Sequence, residues 1–170
     1  MKNLFISTSR LLHSPFDADA FMNQQVDAPL DTVIAQCPEG EYRAMIDDFD
    51  NEKAFRTFTS EKNQRDFTVF TPPFVIQDDA VAATLGRDKV SVFHKGIFLD
   101  FDANGGLDTS KGKNVDLGRL RDAVGQNVPG PWSFSQLKGA GPVMVRVVHE
   151  ADRNDPEKKY ARVTRVVKIG

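Results

Sequence analysis

"KGKNVDLGRLRDAVGQN", residues 111–127, is one of the few stretches of this 170-residue chain that reads plainly as a helix. Leu117, Leu120 and Val124 fall on one side at helical spacing, Asn114 or Asp116 can cap the start, and Gly125 can end it. Lys113 and Arg119 are left for solvent. Around this helix the chain is written in strands. "EYRAMIDDF" (41–49) puts Tyr42, Ala44 and Ile46 on one face, the period of a half-buried strand. "DFTVFTPPFVIQ" (66–77) is a second strand, broken or bulged at Pro72 and Pro73, and "KVSVFHKGIFLDFD" (89–102) a third, with a bend expected at Gly96. After the helix, "PWSFSQLKGAG" reads as a loop with room for one extra turn, in which Trp132 and Phe134 pack under the helix. "PVMVRVVHE" (142–150) and "YARVTRVVKI" (160–169) supply the last two strands, joined by the polar loop "ADRNDPEKK".

The order β-β-β-α-β-β is that of the oligonucleotide-binding barrel, or OB-fold, a five-stranded and partly open barrel. The expected fold is therefore all-β with one helix: a five-stranded OB-fold barrel over residues 41–170, with the helix between strands three and four plugging the open bottom. Residues 1–40 contain Pro15, Pro29 and Pro38 and no sustained period, so they read as an N-terminal arm.

A chain of this length builds one ordinary domain with a real core. Its formal charge of −2 conceals an uneven split. Residues 111–170 hold 12 Lys and Arg against 6 Asp and Glu, a net of +6, which leaves −8 for residues 1–110. Such a separation presents a basic surface despite an acidic isoelectric point. The single cysteine, Cys37, has no disulfide partner within the chain. In "MKNLFISTSRLLHSPF" the polar run Ser7, Thr8, Ser9 and Arg10 interrupts any signal-peptide core, and no segment reaches membrane-spanning length. A cytoplasmic protein without membrane association is expected.

Catalytic patterns are missing from the sequence. His13, His94 and His149 are scattered, Cys37 has no partner motif, and there is neither a nucleophile elbow nor a phosphate-binding loop. No catalytic residue, metal or cofactor is expected. "DFDANGGLDTSK" (100–111) comes nearest to a metal site: Asp100, Asp102, Asn104, Gly105, Leu107 and Asp108 follow an EF-hand loop. Its twelfth position is Lys111, where that loop needs a bidentate carboxylate, and Asp, Asn and Gly also make tight turns without any ion.

Nucleic-acid binding is suggested by two loops. "DNEKAFRTFTSEKNQR" (50–65) interleaves Lys53, Arg56, Lys62 and Arg65 with Phe55 and Phe58, and the loop before the last strand carries Arg153, Lys158, Lys159 and Tyr160. Cations for phosphates and rings for unpaired bases are what single-strand binding requires. Acidic neighbours dilute both loops, and Phe55 and Phe58 could equally anchor a long loop. Phe67, Phe70, Phe93, Phe98 and Phe101 must divide between core and outer groove, and the irregularities at Pro72, Pro73 and Gly96 leave their faces open.

"PEGEY" (38–42), "LDFDANGGLDTSKGKNVDLGRLRDAVGQN" (99–127) and "ARVTRVVKI" (161–169) resemble small phage-encoded single-stranded-DNA-binding proteins from replication and recombination gene neighbourhoods. The resemblance covers roughly residues 38–170. It implies an OB-fold, binding of DNA exposed during phage replication or recombination, and contact with other proteins of those processes. Many such proteins end in an acidic recruiting tail, whereas this chain ends "RVTRVVKIG". The alternative is a protein–protein module on the same barrel, a virion component or an inhibitor of a host enzyme.

Overall fold

Two prolines and a glycine decide how the strands divide. Pro72 and Pro73 offer no N–H to a ladder. Gly96 sits at φ +126°, and a Cβ there would lie 2.7 Å from Cγ1 of Val69, so no other residue fits. In the computed structural model, which describes residues 15–170, each of the two long central strands therefore breaks. The expected strand at 66–77 becomes β3 (Arg65–Phe70) and β4 (Pro73–Ile76), and that at 89–102 becomes β5 (Ser91–Phe93) and β6 (Ile97–Leu99). The expected loop 50–65 is also structured. It holds a helical turn, α2 (Asn51–Ala54), and a strand, β2 (Phe55–Ser60). With β1 (Gly40–Ile46), β7 (Val143–Ala151) and β8 (Lys159–Lys168) the described residues contain eight strands in place of the expected five.

They form two sheets, and no closed barrel. The larger has the order β5-β4-β1-β7-β8 and is antiparallel throughout; the smaller has the order β2-β3-β6. In the larger sheet Ala44 pairs with both Ile76 and Val143. In the smaller, Phe58 faces Phe67, and Phe70 faces both Phe55 and Ile97. One parallel bridge, between His94 and Val163, joins the end of β5 to β8 on the opposite edge of the large sheet. There the Lys95 N–H donates to the Val163 carbonyl at 2.9 Å, after which the chain leaves to form β6.

The helix expected after the third strand is α4 (Val115–Ala123), and it buries Leu117, Leu120 and Ala123 with Val124 half-buried. Gly125, at φ +74°, follows its last turn. Asn114 precedes the helix but does not cap it. Its side chain accepts from the Asp100 N–H and donates to the carbonyls of Asp100 and Asp108, tying the acidic turn to the helix start. The extra turn materialises as a 3-10 segment, Phe134–Leu137. An unexpected helix, α3 (Asp79–Leu85), begins with the Asp78 carboxylate accepting from Val81 N–H at 3.0 Å and ends at left-handed Gly86.

Ala35–Gly170 is one compact unit and contains every strand; residues 15–34 belong to another. The latter holds a short helix, α1 (Ala18–Met22), capped by Asp17, with Phe16 and Phe21 ring centroids 5.2 Å apart. No helix among the described residues is long and apolar enough to cross a membrane.

One core serves both sheets. Ile46, Phe74, Val143, Val145, Val147 and Val163 of the large sheet meet Phe70, Ile97 and Leu99 of the small one, and α4 adds Leu117 and Leu120. Because Leu120 is fully enclosed, Leu120→Ala is expected to cost about 2–5 kcal/mol, the usual range for hollowing a packed site. Urea denaturation of both proteins measures it, and a change under about 0.5 kcal/mol, the size usual for a surface substitution, would contradict this packing.

Candidate nucleic-acid interface

Strand alternation sorts the small sheet into two faces. Phe55, Thr57 and Thr59 fall on one side of β2, with Thr68 and Phe70 opposite Thr57 and Phe55. Arg56 and Phe58 fall on the other, with Phe67 opposite Phe58 and Phe98 opposite Val69. The second face carries three rings in mutual contact. Phe58 stacks on Phe67 with centroids 5.8 Å apart, and Phe98 meets both edge-on at 6.3 and 5.9 Å. None of them is sunk in the core: Phe58 is 39 % and Phe98 55 % exposed, and Phe67 is half-buried. Exposed aromatic rings in such a cluster are uncommon on protein surfaces and make this face a candidate contact surface.

Two arginines share this aromatic face, and two lysines lie on the segments that adjoin its strands in sequence. The Arg65 guanidinium lies 5.7 Å from the centre of the Phe67 ring. Arg56 shares a strand with Phe58, Lys53 is exposed on α2, and Lys62 is exposed in the turn joining β2 to β3. Among the described residues none of Lys53, Arg56, Lys62 and Arg65 takes part in an ion pair. Their charges are available to an incoming anion. Burial falls along β3 from Phe70 to Arg65, so the hairpin stands clear of the core and both its faces are open near the tip.

Phe55 requires a correction. It does not display its ring but stacks on buried Phe70 at 4.8 Å and meets Phe134 edge-on at 5.0 Å, at the base of the hairpin. The second expected loop is the turn between β7 and β8, and it sits elsewhere. Gly40, the first residue of β1, pairs with Val147, and the turn extends beyond that end; α2 and β2 follow the other end of β1. Arg153 is exposed in this turn, Lys158 is paired with Asp155 at 3.1 Å, and the carbonyl of Lys159 accepts from the Gln36 side chain. Tyr160 is exposed with the Arg162 guanidinium 5.3 Å from its ring centre. The structure thus gathers Arg56, Phe58 and Arg65 with Phe67 and Phe98, and leaves Arg153, Lys158, Lys159 and Tyr160 apart from them. Phe93 and Phe101 are also exposed, while Phe70 is core.

The titratable groups outside this face do structural work. His94 is buried, with its Nδ1 accepting from Gly96 N–H at 3.0 Å. Burial, helped by the charge of Lys95, pushes its pKa down to about 4 from an ordinary 6.5. Between pH 6.5 and 4 the unfolded chain therefore takes up a proton that the folded chain refuses. This contribution to stability is complete above pH 6.5, is lost as pH falls, and levels off below about 4. On the order of 3 kcal/mol is at stake, at 1.36 kcal/mol per pKa unit. His94→Gln is expected to remove that share of the acid sensitivity, as measured by denaturation at pH 7 and pH 4.5. Equal acid losses in both proteins would contradict it. His149 binds the Cys37 carbonyl through Nε2 at 2.8 Å, and burial pushes the Cys37 thiol pKa up. His13 lies outside the described residues.

In the acidic turn the carboxylates bond to their own backbone. Asp102 accepts from the N–H groups of Asn104 and Gly106 at 2.8 and 3.0 Å. The hydroxyl and N–H of Ser110 bond to Asp108 and hold its carboxyl below the usual range. Among the described residues no cluster of three or more His, Cys, Asp or Glu is placed to hold a metal ion. Adding calcium or a chelator is accordingly expected to leave the melting temperature unchanged. A rise of several degrees with calcium would mean that an ion binds the folded state.

No family model matches the chain, and no curated protein is similar to it.

Proposed function

We propose that the protein binds single-stranded DNA without sequence preference, as a binder and not an enzyme, and that it acts in phage DNA replication or recombination. The observation that carries this reading is the solvent-facing cluster of Phe58, Phe67 and Phe98 with Arg56 and Arg65 beside it, neither of which forms an ion pair among the described residues. Flat rings accept any base because every base has a π-face, and unpaired arginines and lysines accept the phosphates between them. A duplex keeps its bases stacked on one another and gains nothing from the rings. An OB-fold is the architecture this reading favours. A helix between the third and fourth long strands, and the bridge from His94 to Val163 across the two edges of the large sheet, are in keeping with a partly open barrel of that kind.

The test is fluorescence anisotropy of labelled oligonucleotides, single-stranded and duplex, at two salt concentrations. Phe98→Ala is expected to weaken single-strand binding by about 1–3 kcal/mol per lost stack while the salt dependence stays the same. Arg56→Glu with Arg65→Glu should instead flatten that dependence, which runs at about 0.7 in log–log slope per phosphate neutralised. Lys158→Glu with Lys159→Glu should flatten it less, since Lys158 already has Asp155 as a partner. No preference for single strands over duplex at low salt would end this reading, and the rings would then be a docking surface for a protein.

A further inference from the structure

The backbone of β8 is used unevenly. On one side it is laddered to β7 from Lys159 to Lys168. On the other side its first half is also engaged: the Gln36 side chain donates to the Lys159 carbonyl and accepts from Ala161 N–H, and Lys95 N–H donates to the Val163 carbonyl. From Thr164 to Lys168, no backbone partner lies on that side among the described residues. In an antiparallel strand alternate residues direct N–H and C=O away from their partner, so this stretch presents an unpaired edge. Proteins normally cover or blunt such edges, because an extended chain can add to them.

What faces this edge is a cleft of 710 Å³ between the second half of β8, α4 and the chain joining β5 to β6. Its apolar lining comes from Val166 and Val167, with buried Ile97, Leu120 and Ala123 beneath them. Its charged lining is mostly positive. Lys95, Arg165 and Lys168 stand there without an ion-pair partner among the described residues, while Asp116 is matched by Arg119 at 3.0 Å, which leaves Asp122 as the one unmatched carboxylate of the lining. Cations along an edge repel a basic strand and gain nothing from a neutral one.

We propose that this edge receives an extended acidic peptide of a partner protein, which adds to β8 as a further strand. Each part of the cleft selects one property of that peptide. The open backbone selects an extended conformation, the apolar lining selects apolar residues at alternate positions, and Lys95, Arg165 and Lys168 select Asp or Glu between them. The site is distinct from the aromatic face of the small sheet, and it holds whether or not that face binds DNA.

The experiment uses the full chain and a fluorescein-labelled nonapeptide of alternating Val and Glu, followed by anisotropy at low salt. Binding should be at least tenfold tighter than for the same peptide with Lys in place of Glu. Lys95→Glu with Lys168→Glu, once shown to melt as the parent does, should weaken it at least tenfold. Two further peptides test the ladder without altering the protein: one N-methylated at the odd amides, one at the even. A strand bonded along one edge must lose binding with one of these and keep it with the other. Failure of the acidic peptide to bind at 500 µM (roughly a 4–5 kcal/mol floor), equal binding of acidic and basic peptides, or identical behaviour of the two methylated peptides would each overturn the proposal.

Discussion

Phe70 is the residue on which the two sheets depend for a common interior. It belongs to β3, in the small sheet, yet it is wholly buried and shares its core with the large one. Its ring lies within 5.5 Å of Phe49, 4.8 Å of Phe55 and 5.0 Å of Phe134, so the segment after β1, the base of the hairpin and the 3-10 turn all converge on one side chain. Each of these aromatic contacts adds to the area it buries. Without that convergence the small sheet would be a hairpin and one short strand, which water does not sustain by itself. The same anchoring explains why Phe58, Phe67 and Phe98 can stay in solvent. The inner side of the sheet supplies the stability that the outer side does not.

Most of the long elements could be read from the chain. The burial of Ala44 and Ile46 in β1, the apolar stripe Leu117, Leu120 on α4 and the two C-terminal strands follow from simple periods, which local chemistry reinforces. β2 escaped because "FRTFTS" has no consistently buried side: four of its six residues are exposed, so neither face carries the apolar alternation that marks a strand. Its β-branched and aromatic content was the available signal. α3 carried its own punctuation, Asp78 at the front and Gly86 at the back of an alanine-rich run.

The site was half legible. Arg56, Phe58 and Arg65, which the structure brings onto one face, stand out in the sequence because cations and rings alternate there. Phe67 and Phe98 could not be given a face. Their side depends on the pairing of Val69 with Phe98, and Gly96 resets the alternation between β5 and β6 just before that pair. Phe55 and Phe58 lie on opposite faces of β2, Phe55 across from core Phe70 and Phe58 across from half-buried Phe67, which is a fact of register and not of composition. The charge asymmetry also proved coarser than the surface it foretold. The C-terminal sixty residues are the basic ones, yet the cations beside the rings, which form no ion pair among the described residues, belong to the acidic remainder.

Trp132 is the only tryptophan of the chain, and its surroundings are unusually defined. The Arg121 guanidinium lies 4.4 Å from its ring centre, its Nε1 donates to Gln126 at 2.8 Å, and Phe134 is 5.0 Å away. Tryptophan emission from this protein, excited beyond the absorption of its two tyrosines, is therefore a single-site optical signal. It originates where α4 meets the aromatic cluster around Phe70, and not on the open face of the small sheet. An emission change on heating reports loosening of that junction, whereas a ligand laid over Phe58 and Phe98 has no tryptophan beside it to quench. Occupancy of that face has to be followed from the ligand's side, by a label or by the ligand's own absorbance.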